Sequence, residues 1–98
     1  MPFQDLSSLL NRNIQRKGLR YQVEAAMALE YFNVIVDQFW SGRMKDRARP
    51  LYLKDQVLTI AVVSPVLGQE LRQREGEIID YINQKIGAEA VGRLRYIS

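Results

Sequence analysis

Apolar residues recur at helical spacing from Tyr21 to Trp40, a stretch without glycine or proline, where Ala25, Ala28, Leu29, Phe32, Ile35, Val36, Phe39 and Trp40 follow the i, i+3, i+4, i+7 rule. The pattern predicts one long helix with a broad apolar stripe. Val23, Met27, Tyr31 and Val34 fall off that stripe, so the helix is apolar around most of its circumference. Such a helix is either sandwiched in a core or shared with a second copy of the chain. Ser41-Gly42 ends it. Ahead of it, Asp5 can cap a shorter helix carrying Leu6, Leu9, Leu10 and Ile14, with Gly18 as its stop. Arg12, Arg16, Lys17 and Arg20 gather at that far end, where cations complement the helix dipole or offer a binding surface.

The segment from Arg49 to Leu71 carries strand signals. Arg49-Pro50-Leu51-Tyr52-Leu53 is a short apolar and aromatic run, and Pro50 suits the start of an edge strand. Lys54-Asp55-Gln56 is short enough for a hairpin turn, and Val57 to Val63 is rich in β-branched residues that pack on a pleated surface. Ser64-Pro65 then supplies an N-cap and a first helical residue. A third helix is expected from Pro65 to about Ile86 on the stripe Leu67, Leu71, Ile78, Ile82 and Ile86, with Gly87 as its stop and Gly76 as a place for a kink or break. Ala90 to Ile97 reads as a last strand, with Leu94 and Tyr96 facing one way and Arg93, Arg95 and Ile97 the other. The expected order is α-α-β-β-α-β, a small α+β fold with a three-stranded sheet packed by helices. The chain is read as one domain, with residues 1–20 an N-terminal helix and connection and residues 21–98 the core.

Composition narrows the chemistry. The 98 residues include no cysteine and no histidine, which removes disulfides, thiol catalysis, thiolate metal sites and the commonest general base together. The carboxylates Glu70, Glu75, Glu77 and Asp80 share a helix with Arg72 and Arg74 and read as solvated charges, so neither an enzyme nor a cofactor nor a metal is expected. No apolar run approaches the roughly 20 residues of a membrane span. The N-terminal residues lack the features of a secretory signal, and the expected location is the cytoplasm. A net charge of +3 with pI near 9.4 leans toward anionic partners.

The most basic passage, Ser41 to Pro50, places Arg43, Lys45, Arg47 and Arg49 at every second position. Extended, it puts all four on one side; helical, it pairs Arg43 with Arg47 and Lys45 with Arg49. Either geometry suits phosphate contacts, with Arg93 and Arg95 in support, although no aromatic residues interleave the passage for base stacking. A solvated linker is the plain alternative. A protein-interaction module is the other reading, in which the helix bearing Tyr31 and Trp40, or the acidic side formed by Glu75, Glu77 and Asp80, meets a partner subunit or a second copy.

An ordered set of short motifs resembles the bacterial DciA family: a proline-led strand at Pro50, the second strand Leu58-Thr59-Ile60-Ala61-Val62-Val63-Ser64, the pair Glu70-Leu71, Ile82-Asn83 with Gly87, and the closing Val91 and Leu94-Arg95-Tyr96. The resemblance implies a domain similar to the K-homology fold, in proteins that bind DNA, single-stranded or structured, and help place the replicative helicase on it. Trp40 and Gly42 stand closer to Pro50 than the family pattern has them, and the K-homology GxxG loop that clamps nucleic-acid backbone is absent. Family members commonly carry a long basic extension, whereas this sequence ends at Ser98, so binding is expected to rest on the basic side chains of the domain.

Overall fold

In the structure, a computed structural model in which residues 17–98 are described, the long apolar segment forms helix α1 (Lys17–Trp40). The shorter helix expected from Asp5 lies outside the described residues, apart from its proposed stop. Gly18 is no stop, because it lies inside α1. The chain then forms β1 (Ala48–Lys54), β2 (Val57–Val62), α2 (Pro65–Gln73), α3 (Glu75–Ile86) and β3 (Arg93–Ile97). The α+β class and the strand order are as the sequence predicts. The helix expected from Pro65 to Ile86 is two helices, so the described order is α-β-β-α-α-β.

The sheet order is β1-β2-β3, with β1 antiparallel to β2 and β2 parallel to β3. The hairpin turns on Asp55 and Gln56, whose φ values of 51° and 66° are the two positive values that a tight two-residue hairpin turn requires. Glutamine rarely adopts this conformation, and here it is tied down. The Gln56 carbonyl accepts from the N–H groups of Gly92 and Arg93 at 2.7 and 3.2 Å, and its side-chain amide donates to the Glu89 carbonyl at 2.9 Å.

All three helices cover one face of the sheet. Ala28, Phe32, Ile35 and Val36 of α1 meet Leu58, Ile60 and Val62 of β2, Leu71 of α2, Ile78, Ile82 and Ile86 of α3, and Leu94 of β3 in one core cluster. The off-stripe residues Met27 and Tyr31 are half-buried against this cluster, because α1 packs on both β1 and α3. Its wide apolar surface is therefore largely used within the fold.

Helix α2 begins where expected, with Ser64 in extended geometry at the N-cap position and Pro65 in the first turn, but the Ser64 side chain makes no capping hydrogen bond. The break before α3 falls at Arg74 (φ −116°, ψ 19°), not at Gly76. Re-aiming the chain there points Ile78, Ile82 and Ile86 into the core and brings Glu75 to β3. Gly87 stops α3 in the left-handed region at φ 83°. The side chain of Asn83 then clamps the connection to β3, donating to the Val91 carbonyl and accepting from the Val91 N–H, both at 2.9 Å.

Candidate functional site

Register and burial together define the face of the sheet that the described helices leave open. Arg49, Ala61 and Ile97 form one cross-strand row; Tyr52, Thr59 and Arg95 form the next; Lys54, Val57 and Arg93 form the third. The alternate rows, Ala48 with Val62, Pro50 with Ile60 and Tyr96, and Leu53 with Leu58 and Leu94, point to the helices. One pair beyond the strand end, the Val63 N–H donates to the Arg47 carbonyl at 3.0 Å, which continues the face through Arg47 and Val63. Five cations therefore share this surface, Arg47, Arg49, Lys54, Arg93 and Arg95, and none of its rows contains a carboxylate.

None of these five is in an ion pair within the described residues, where the pairs are Arg20 with Glu24 at 3.0 Å and Arg74 with Glu77 at 3.4 Å. The floor between them is shallow. Thr59, Ala61 and Val57 run along the middle strand, and Thr59 is only 1% exposed beneath its neighbours. Tyr52 and Ile97 stand above it, 49% and 38% exposed.

The placement of Tyr52 depends on a β-bulge. The register shifts between Pro50 and Tyr52, leaving Leu51 as an extra residue. Unbroken alternation from Ala48 would have sent Tyr52 inward and Leu53 outward. With the bulge, Leu53 is buried in the core and Tyr52 is on the open face. The sequence reading missed Tyr52 because a strand pattern counts residues without seeing which one is skipped, and missed Lys54 because the polar run Lys54-Asp55-Gln56 reads as turn, whereas Lys54 is the last residue of β1.

The four alternating cations of the 41–50 passage do not share one side. Ser41, Gly42 and Asp46 all have positive φ, Met44 is buried as an anchor, and only Arg47 and Arg49 emerge on the sheet face. Arg43 folds back to donate from Nε to the Trp40 carbonyl at 3.2 Å. Lys45 lines a groove of about 640 Å³ between α1 and the start of β1, in the company of Glu30, Asp37 and Asp46. Arg93 and Arg95 face outward together, as the strand alternation predicts, and the strand pairing brings them to the face that carries Arg47 and Arg49.

The residues read as a partner interface are divided. Tyr31 stacks edge-on against Tyr81 at 6.2 Å, and Trp40 stacks edge-on against Phe39 at 5.8 Å; both are half-buried. Glu77 pairs with Arg74, and Asp80 is exposed. Glu75 does not belong to the outer acidic side. Its carboxylate accepts from the Leu94 N–H at 3.1 Å and from the Tyr96 hydroxyl at 3.0 Å, so it satisfies a donor on the outer edge of β3. Burial, and after it the charge of Glu75, pushes the Tyr96 phenol above the usual tyrosine range. On the opposite edge, Pro50 has no N–H and the Tyr21 hydroxyl donates to the Leu53 carbonyl. Among the described residues no group of three or more acidic, histidine or cysteine side chains could hold a metal ion, and no helix is long and apolar enough to cross a membrane.

Comparison with known proteins gives one family. Residues 5–96 match the family model described as Dna[CI] antecedent, DciA. No curated protein matches the chain.

Proposed function

The chain belongs to the DciA family, which is linked to loading of the replicative helicase, and from that premise we propose that its open sheet face is a non-enzymatic DNA-binding surface serving that process in the cytoplasm. The observation that carries the reading is the convergence of Arg47, Arg49, Lys54, Arg93 and Arg95 on one shallow face without a carboxylate in its rows. Fixed on a sheet and in no ion pair among the described residues, these side chains neutralise phosphates and release counterions, which yields affinity with strong salt dependence and little sequence preference. The reading agrees with the basic pI of the whole chain. Apart from these five cations, the charges of the sequence balance to net acidic.

The test is binding of a labelled single strand across a salt series. Replacing Arg47, Arg49, Arg93 and Arg95 with glutamine is expected to flatten the log–log salt slope by about 3, at roughly 0.7 per phosphate contact on a single strand. Replacing Arg72, Arg74 and Lys85, which lie on the helix layer, is expected to leave the slope unchanged. Equal slopes for wild type and the sheet-face variant would discard the site.

A protein-interaction reading concerns the opposite side. Glu70, Glu77 and Asp80 are exposed on the helices, and Tyr31 is half-buried against Tyr81; these would meet a helicase subunit or a second copy while the sheet face holds DNA. A pull-down with the replicative helicase of the same organism, with and without single-stranded DNA, tests the first partner using an Asp80→Lys, Glu77→Lys variant. Sedimentation of the free protein tests the second.

A further inference from the structure

Resting on that reading of the open face, we propose that Tyr52 is the residue on which a base of single-stranded DNA stacks, so that the face selects single strands over duplex. Phosphate contacts alone cannot make this distinction, because both forms carry them. Tyr52 is the aromatic ring that the sheet rows place among the cations. It lies in the middle row, opposite Thr59 and Arg95, with Arg49 in the row on one side and Lys54 and Arg93 in the row on the other.

Three further features bear on the ring. Its orientation is produced by a bulge at Leu51, and bulges are a recurrent device for re-aiming a side chain at a site. Nearly half of its surface is exposed, although a tyrosine in a three-stranded sheet would bury far more surface on the helix side, as Tyr96 does. Lastly, the ring carries no stacked cation of its own. Arg72 lies over Tyr96 at 4.9 Å, Arg74 over Phe39 at 4.2 Å and Lys85 over Tyr81 at 5.5 Å, whereas no cation lies over Tyr52 among the described residues.

A free aromatic face bordered by phosphate-binding cations is the arrangement that holds an unpaired base, since every base offers a π-face once it leaves the duplex. In a duplex those faces are occupied by neighbouring base pairs, and Tyr52 has nothing to meet. Thr59, opposite the ring, is only 1% exposed beneath its neighbours, so the base would stack on the outward face of Tyr52 rather than on the middle strand.

The experiment compares three labelled ligands by fluorescence anisotropy: an oligothymidylate, an abasic strand with the same number of phosphates, and a duplex of matched length. Wild type is expected to bind the oligothymidylate about tenfold more tightly than the abasic strand. Tyr52→Ala is expected to erase that difference while leaving the salt slope and the affinities for the abasic strand and the duplex unchanged, and Tyr52→Phe to retain it. Equal binding of the two single strands by wild type, or an oligothymidylate affinity unaltered by Tyr52→Ala, overturns the proposal. If the glutamine variant of the four arginines loses binding and Tyr52→Ala does not, the phosphate-binding surface stands without the stacking. If wild type binds none of the three ligands, the DNA reading falls and the stacking falls with it.

Discussion

Glu75 shows how one side chain can leave a surface role for a structural one. Its carboxylate accepts a backbone N–H from Leu94 and the hydroxyl of Tyr96, and removing it leaves two half-buried donors without a partner. Glu75→Ala is expected to cost about 1–3 kcal/mol in urea unfolding, with Glu75→Gln closer to wild type because it keeps an acceptor oxygen. The same contact has a pH signature. The phenol of Tyr96 is raised by burial and then by the charge of Glu75, so at pH above about 10 the unfolded chain gives up a proton that the folded chain keeps. Stability from this group is complete below that pH and is lost as the pH rises further. Melting temperatures measured between neutral and strongly alkaline pH should fall more steeply for wild type than for Tyr96→Phe, and parallel curves would refute the coupling. Asn83 is the second residue of this kind, since its amide closes two backbone hydrogen bonds to Val91 and thereby sets where β3 begins.

At the scale of elements, β1 is defined by its irregularity. Deleting Leu51 removes the extra residue but leaves Tyr52 outward and Leu53 inward, because the remaining residues then alternate without interruption. The deletion variant is expected to keep cooperative unfolding and the oligothymidylate preference; loss of both would mean that the bulge does more than reset the alternation. The junction between α2 and α3 teaches the opposite lesson about glycine. Gly76 looks like the weak point of a long helix, yet the break is carried by Arg74, and a Cβ at Gly76 would meet nothing within 4 Å. Gly76→Ala is therefore expected to stabilise the protein by about 0.5–1 kcal/mol in chemical denaturation, by lowering the entropy of the unfolded chain.

Among the described residues the fold is two-sided. One side is a sheet face bearing five cations; the other is a layer of three helices whose exposed residues include Glu70, Glu77 and Asp80 alongside Arg72, Arg74 and Lys85. A polyanion and a protein partner could then be held on opposite surfaces without competition, and a ternary pull-down should recover helicase and DNA together. Competition between them for wild-type protein would place both on one surface. The arrangement also predicts that raising salt from low to physiological strength weakens DNA binding steeply while changing thermal stability little, because the cations of the sheet face form no ion pair among the described residues.

Local signals were enough for the elements. The unbroken apolar periodicity of Tyr21 to Trp40, the β-branched run of Val57 to Val63, Ser64-Pro65 and Gly87 each act within a few residues of themselves, so helix α1, strand β2, the start of α2 and the end of α3 could be read from the chain. Strand alternation likewise placed Arg93 and Arg95 outward together. What needed the tertiary structure was every choice made between distant segments. The parallel pairing of β2 with β3 set Arg95 in one row with Tyr52 and Arg93 in one row with Lys54, across the middle strand; the bulge at Leu51 decided which face Tyr52 took, and the turn at residues 41–47 left Arg43 and Lys45 off the sheet rows. Each of those outcomes depends on burial of groups far apart in sequence, Met44, Leu53 and Leu94 among them, and no window of neighbouring residues contains the competition that burial resolves.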